Sequence, residues 1–111
     1  MSTKAEPWAP QACTPPTAER PLRVAEFDAL FAQALQDVRR VDATSVSLDL
    51  QPRSEVAARA ADLVVREAGC CSFFTFSLVA TGGTLHLEIK VPEQHVDVLE
   101  ALVARAEGMS T

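Results

Sequence analysis

Apolar residues recur at intervals of three and four between Val24 and Val41, which predicts an amphipathic helix with one buried stripe. The stripe consists of Phe27, Leu30, Phe31, Ala34, Leu35, Val38 and Val41. From Thr44 to Leu50 the pattern becomes a strict alternation. Its apolar positions are Val46, Leu48 and Leu50, and its polar positions are Ser45, Ser47 and Asp49. Such alternation is typical of a strand with one solvated face, so a first strand follows the first helix.

A second helical pattern begins at Ser54, and Gly69 is expected to end it in the left-handed conformation. Two alternating segments, 74–80 and 84–91, then flank a turn made by Thr81-Gly82-Gly83, which predicts a β-hairpin. A third helical pattern opens at Pro92 or Glu93. The predicted order of elements is α-β-α-β-β-α.

This order predicts an α+β fold in which a three-stranded antiparallel sheet, in strand order 1-3-2, carries its helices on one face. The arrangement is ferredoxin-like but lacks the last strand. Residues 1–21 hold five of the seven prolines and predict an extended arm, whereas 22–111 predict a single domain. The free edge of strand one is expected to pair with the arm or with a second copy, so a homodimer is expected.

Composition narrows the class of protein. The chain has 111 residues, 48% of them hydrophobic, and a formal net charge of −5. No run of apolar residues is long enough for a membrane span or a signal peptide, so we expect one soluble, cytoplasmic domain without a membrane role. Arg39-Arg40 is the only basic cluster, which argues against nucleic-acid binding. Walker, GxGxxG, GxSxG and CxxC motifs do not occur.

The stretch VVREAGCCSFFTF places two adjacent cysteines, Cys70 and Cys71, where the second helix stops and the next strand starts. Adjacent cysteines can join each other only through a strained small ring. Because the chain has three cysteines, an odd number, and a reducing compartment is expected, a disulfide framework is not indicated. The pair is therefore two thiols, two metal ligands or two small core residues.

The predicted topology brings further candidate ligands to the same end of the fold. Glu67 lies on the inner stripe of the second helix, and His95 lies in the first turn of the third, within its apolar stripe. An extended arm is long enough to bring Cys13 there as a third thiol. Three thiolates suit a soft ion such as Hg(II), As(III), Cd(II) or Cu(I), and the addition of His95 or Glu67 suits Zn(II).

Each candidate also has an ordinary structural interpretation. Cys70 and Cys71 are explained by burial as small side chains, while Glu67 and His95 are explained as solvated residues near helix ends. His86 belongs to the polar face of its strand and is expected to be a surface residue. The functional interpretation is favoured because the ordinary interpretation would have to be correct for all of these residues at once, at one end of a small fold.

The segment from Glu67 to Phe73, read as E-x-x-C-C-x-F, resembles a motif of small bacterial proteins of unassigned function. The same motif occurs in segments appended to regulators that resemble the mercury-responsive type. The stretch CTPPTAERPLRVAEFDALF is also similar to the opening of the small stand-alone proteins, with Pro15 in place of their usual Leu. The resemblance implies a context of soft-metal or metalloid stress for Glu67, Cys70, Cys71 and Cys13. For a protein in such a context, a metal-stress regulator or an efflux protein is the expected partner besides a second copy of the chain.

The sequence thus predicts a small protein that binds a thiophilic metal or metalloid through a vicinal cysteine pair. One alternative is a thiol enzyme or redox relay, in which His95 raises the thiolate fraction of a nucleophilic cysteine and Glu67 moves a proton. Because no substrate pocket is visible in the sequence, an enzyme is less favoured. The other alternative is a metal-free interaction module with packing cysteines.

Overall fold

The structure is a computed structural model that describes residues 19–70 and 73–110, with side chains described over 25–69 and 73–108. The described residues form three helices, four strands and a short 3-10 turn. The helices are α1 (Glu19–Ala34), α2 (Ser54–Cys70) and α3 (Val96–Ser110). The strands are β1 (Leu35–Asp42), β2 (Ser45–Leu50), β3 (Thr75–Thr81) and β4 (Thr84–Lys90). The 3-10 turn spans Glu93–His95 and leads directly into α3.

The sheet has four antiparallel strands in the order β1-β2-β4-β3. The prediction of a three-stranded, ferredoxin-like sheet without its last strand is therefore wrong. The three predicted strands are neighbours as β2, β4 and β3, but β1 forms a hairpin with β2 and adds a fourth strand outside it. The edge that was expected to be free for the arm or for a second copy is consequently covered by β1.

The sequence pattern does not predict this fourth strand, because the apolar residues of 35–42 continue the helical spacing that begins in α1. In the structure α1 ends at Ala34, and this segment pairs with β2 instead. A register shift between Leu35 and Asp37 places Leu35 opposite Leu50 and Val38 opposite Leu48. A β-bulge of this kind inserts one extra residue, so two inward positions are separated by three residues rather than two.

The core lies on one face of the sheet. Alternate residues of β2 and β4 are almost fully buried there, as the sequence alternation predicts. These residues are Val46, Leu48, Leu50, Leu85, Leu87 and Ile89. Helix α1 packs between α2 and α3, while α3 also contacts β1 and α2 contacts β3. The opposite face of the sheet carries the polar residues of the same strands, including Asp49, His86 and Glu88. Ser45 and Ser47 on this face are only 6% exposed, so the prediction that they are solvated is wrong.

Two glycines form the turn between β3 and β4. Gly82 has a φ of 56° and Gly83 a φ of 78°, the left-handed values that a two-residue hairpin turn requires. The prediction that Gly69 ends α2 in the left-handed conformation is wrong, because the helix continues through it to Cys70. Among the described residues, Gly82 and Gly83 are the ones with positive φ.

Candidate functional site

The last turn of α2 carries the acidic candidate residue. Glu67 is 3% exposed, so the helical spacing that predicted an inward position for it is confirmed. The inner stripe of α2 that leads to Glu67 is apolar, with Ala60 and Leu63 buried in the core. A carboxylate is rarely buried this far, since its removal from water costs free energy unless nearby polar groups compensate. Glu67 is thus the one acidic side chain among the buried residues that the structure describes.

The imidazole candidate lies at the start of the third helix. His95 ends the 3-10 turn, and its backbone N–H donates to the carbonyl oxygen of Pro92 at 2.9 Å. Its ring is stacked on the ring of Phe73, with ring centroids 4.0 Å apart and an interplanar angle of 16°. Phe73 in turn lies 4.8 Å from the ring of Phe74, which is 4% exposed. His95 is therefore fixed against the segment that joins α2 to β3.

The contact with Phe73 was not predicted. Phe73 is partly buried, packs against the core and presents its ring to His95. Because Phe73 precedes β3, the alternation within that strand does not determine where its ring lies.

The structure describes the predicted thiols only in part. Cys70 is the last residue of α2, one helical turn after Glu67. Cys13 and Cys71 lie outside the described residues, as does the predicted arm over 1–18. Phe73 follows Cys71 by two positions, so the residue on which His95 stacks lies close to the cysteine pair along the chain. Within 19–70 and 73–110 as described, no group of three or more His, Cys, Asp or Glu residues is arranged to hold a metal ion.

His86 lies on the polar face of the sheet, as predicted from the alternation. It is opposite Asp49 and Val79, and its Nε2 atom is 3.6 Å from the carboxylate of Glu88. This face is separated from the last turn of α2 by the sheet itself, since α2 packs with the core. His86 is therefore not part of the candidate site.

A cleft of about 360 Å³ lies between the start of α2 and the β3–β4 turn. It is lined by residues such as Arg53, Ala57 and Ala80. Arg53 pairs with Glu55 at 2.7 Å on the exposed surface, and no buried ionisable group lines the cleft. Because the cleft is at the opposite end of α2 from Cys70, it is not part of the candidate site either.

No family model, curated protein or solved structure matches this chain. Within the part of the chain that the structure describes, none of the helices has the length and apolar character needed to cross a membrane.

Proposed function

We propose that this protein binds a thiophilic metal or metalloid ion in the cytoplasm through the thiolates of Cys70 and Cys71. Glu67, His95 and Cys13 are the proposed additional ligands. Two thiolates with Cys13 as a third suit Hg(II), As(III), Cd(II) or Cu(I), and a set completed by Glu67 or His95 suits Zn(II). In a reducing compartment the adjacent thiols stay free for this role.

The observation that carries the proposal is the burial of Glu67 at the carboxyl end of α2. The carboxyl end of a helix bears a partial negative charge, which favours a cation there. The last turn of α2 contains no basic residue, and Glu67 places a carboxylate that is 3% exposed in that turn. The cysteine pair follows within four residues, so soft ligands lie where the backbone and the carboxylate together favour a cation.

The stacked imidazole of His95 supports the same site. Phe73 holds the His95 ring at 4.0 Å, which reduces the entropy that His95 would lose on binding an ion beside the cysteines. The stack connects the 3-10 turn, which carries the proposed ligand His95, to the segment before β3 that follows the cysteine pair. In the context that the resemblance implies, such a protein would deliver its ion to, or receive it from, a metal-stress regulator or an efflux protein.

Titration of the purified protein with Cd(II) or Hg(II) tests the proposal. Thiolate ligation produces an ultraviolet charge-transfer band, and its intensity should saturate at one ion per chain. Because the ion displaces thiol protons, apparent affinity should fall as the pH is lowered. The variant Cys70→Ser/Cys71→Ser should lose the band, and Glu67→Gln should retain it while binding roughly tenfold more weakly.

Cys13→Ser is the matched thiol control. It removes one sulfur but keeps the adjacent pair, so binding should be weaker yet present. Equal band intensity in the wild type and in the double Cys70/Cys71 variant would contradict the proposal. Alkylation-sensitive turnover of a substrate, without metal retention, would favour a thiol enzyme instead.

A further inference from the structure

The two outer strands of the sheet differ sharply in how their free edges are protected. Strand β1 carries charged side chains and two register shifts relative to β2. Its charged residues are Asp37, Arg39, Arg40 and Asp42. Charges and bulges on an outer strand prevent it from pairing with another chain. The outer strand β3, TFSLVAT, has no charged residue and no proline, and its register with β4 is continuous from Thr75 to Thr81.

The side of α2 that flanks β3 is also apolar and uncharged. Helix α1 lies on one side of α2, where Arg59 bonds to Gln33 and Arg66 pairs with Glu26 at 3.0 Å. Successive residues of an α-helix are rotated by about 100° around its axis. This rotation places small apolar side chains on the side of α2 that is directed away from α1. These are Ala57, Ala61, Val65 and Ala68. Val65 is 70% exposed and, with Val41 of β1, is one of two strongly exposed large apolar side chains among the described residues.

This apolar side of α2 lies next to β3. Helix α2 packs against β3, and Ala57 and Ala80 line the same cleft. The outer edge of β3 and the small residues of α2 therefore form one surface, which we call the β3–α2 flank. Phe76, Leu78 and Val79 of β3 remain partly exposed beside it.

We propose that the β3–α2 flank binds a second copy of this chain. The β3 strands of the two copies pair antiparallel about a two-fold axis at Leu78 and form a continuous eight-stranded sheet. The α2 helices of the two copies then lie side by side on the same face, where alanines permit close approach of the two backbones. No like charges oppose each other across the two strands, because β3 has none.

The hydrogen-bonding pattern of β3 agrees with this axis. Thr81 and Thr84 flank the two-residue turn and form a hydrogen-bonded backbone pair. Along an antiparallel ladder, hydrogen-bonded pairs alternate with pairs that are not hydrogen-bonded to each other. The backbone groups of Phe76, Leu78 and Ala80 are thus the ones directed away from β4. A two-fold axis at Leu78 places Leu78 opposite Leu78 of the second copy, and Phe76 opposite Ala80 of the second copy. All three residues can then form backbone hydrogen bonds to the second copy through the groups that are directed away from β4. The pairing also keeps the apolar side chains of both copies on the core face.

The difference between the two edges makes the assembly stop at two copies. Within the described sheet, β3 is the one outer strand without charges or register shifts, and two-fold pairing uses this edge of both copies. The flank involves seven residues of β3 and four of α2, fewer than the 20–30 residues a side of a standard stable interface. The dimer should therefore be weak and should dissociate on dilution.

Sedimentation velocity of the full chain over a range of concentrations tests the proposal. Ser77→Lys places two lysines near the axis, and Val65→Lys places them between the helices. Each should raise the dissociation constant roughly tenfold or more. The matched control is Val41→Lys, since Val41 of β1 is 63% exposed and lies on the other outer strand. This variant should dimerise like the wild type.

Amide hydrogen exchange provides the second measurement. The amides of Phe76, Leu78 and Ala80 should become protected as the protein concentration rises. A wild type that is monomeric at millimolar concentration would overturn the proposal. Protection of these amides that does not depend on concentration would also overturn it and would indicate cover by another part of the same chain. Equal weakening by Val41→Lys and Val65→Lys would place the interface elsewhere. Metal binding by Cys70 and Cys71 is not needed for any of these outcomes.

Discussion

The contact between Phe73 and His95 joins the entry of β3 to the start of α3 through two ring systems. Stacked rings at 4.0 Å with a 16° interplanar angle have a geometry that stabilises a pair beyond the burial of its surface. Both residues are partly exposed, and Phe73 also packs against the core. The contact therefore connects His95 to the core through the ring of Phe73.

We predict a measurable coupling between these two side chains. In a double-mutant cycle of Phe73→Leu and His95→Ala, the coupling free energy of unfolding should be about 0.5–1.5 kcal/mol. Urea unfolding of the four proteins gives the value. The control cycle combines Phe73→Leu with His86→Ala, because His86 is opposite Val79 and lies far along the strand. A coupling as large in the control cycle would show that the effect does not come from the stack.

The individual candidate residues could be predicted to different extents. The inward position of Glu67 follows from its helical spacing, and it is buried as predicted. The stack on His95 could not be predicted, because it depends on how far the 3-10 turn shifts the start of α3. Sequence spacing fixes the face of a residue within an element, but the contact between two elements depends on the path of the connecting segments.

At the scale of elements, β1 shows that an irregular strand can have the same spacing of apolar residues as a helix. Leu35 and Val38 are three residues apart, and this spacing extends the stripe of α1 without a break. The bulge between Leu35 and Asp37 produces the same spacing in a strand. The alternating strands β2 and β4 contain no such irregularity, and they were predicted from the sequence. The prediction therefore failed at an irregular outer strand, and for this reason it gave three strands where the described sheet has four.

The two glycine environments lead to opposite predictions. Gly83→Ala should lower the free energy of unfolding by about 1–2 kcal/mol, because a φ of 78° places a Cβ atom too close to the backbone. Gly69→Ala should raise it by up to about 1 kcal/mol, because Gly69 is helical and a Cβ atom there would contact nothing within 4 Å.

The two changes are chemically identical, so each is the control for the other. Urea unfolding under the same conditions measures both. If Gly69→Ala destabilises the protein as much as Gly83→Ala, then α2 does not remain helical through Gly69 in solution.

At the scale of the whole molecule, α1 connects the two outer helices. Its Phe27 and Leu30 are fully buried, and its polar side chains reach α2 on one side and α3 on the other. The contact with α3 is the more sheltered of the two. Arg105 donates from Nε to the carboxylate of Asp28 at 3.0 Å and forms a second bond to the same carboxylate. The hydrogen bond to Asp28, together with its negative charge, raises the pKa of Arg105.

This pairing should contribute to stability more than the other ion pairs between elements. The side chains of Arg105 and Asp28 are 24% and 18% exposed, whereas those of Arg40 and Glu100 are 43% and 50% exposed. We predict that Arg105→Met lowers the free energy of unfolding by about 1–2 kcal/mol, because two charge-assisted bonds are lost and Asp28 remains partly buried. Arg40→Met makes the same change at the exposed pair, so its effect should be at most about 0.5 kcal/mol and should fall further in high salt. Equal effects of the two variants in urea unfolding would show that shelter from water does not decide the strength of these pairs, and that α1 and α3 are held together by their apolar contacts alone.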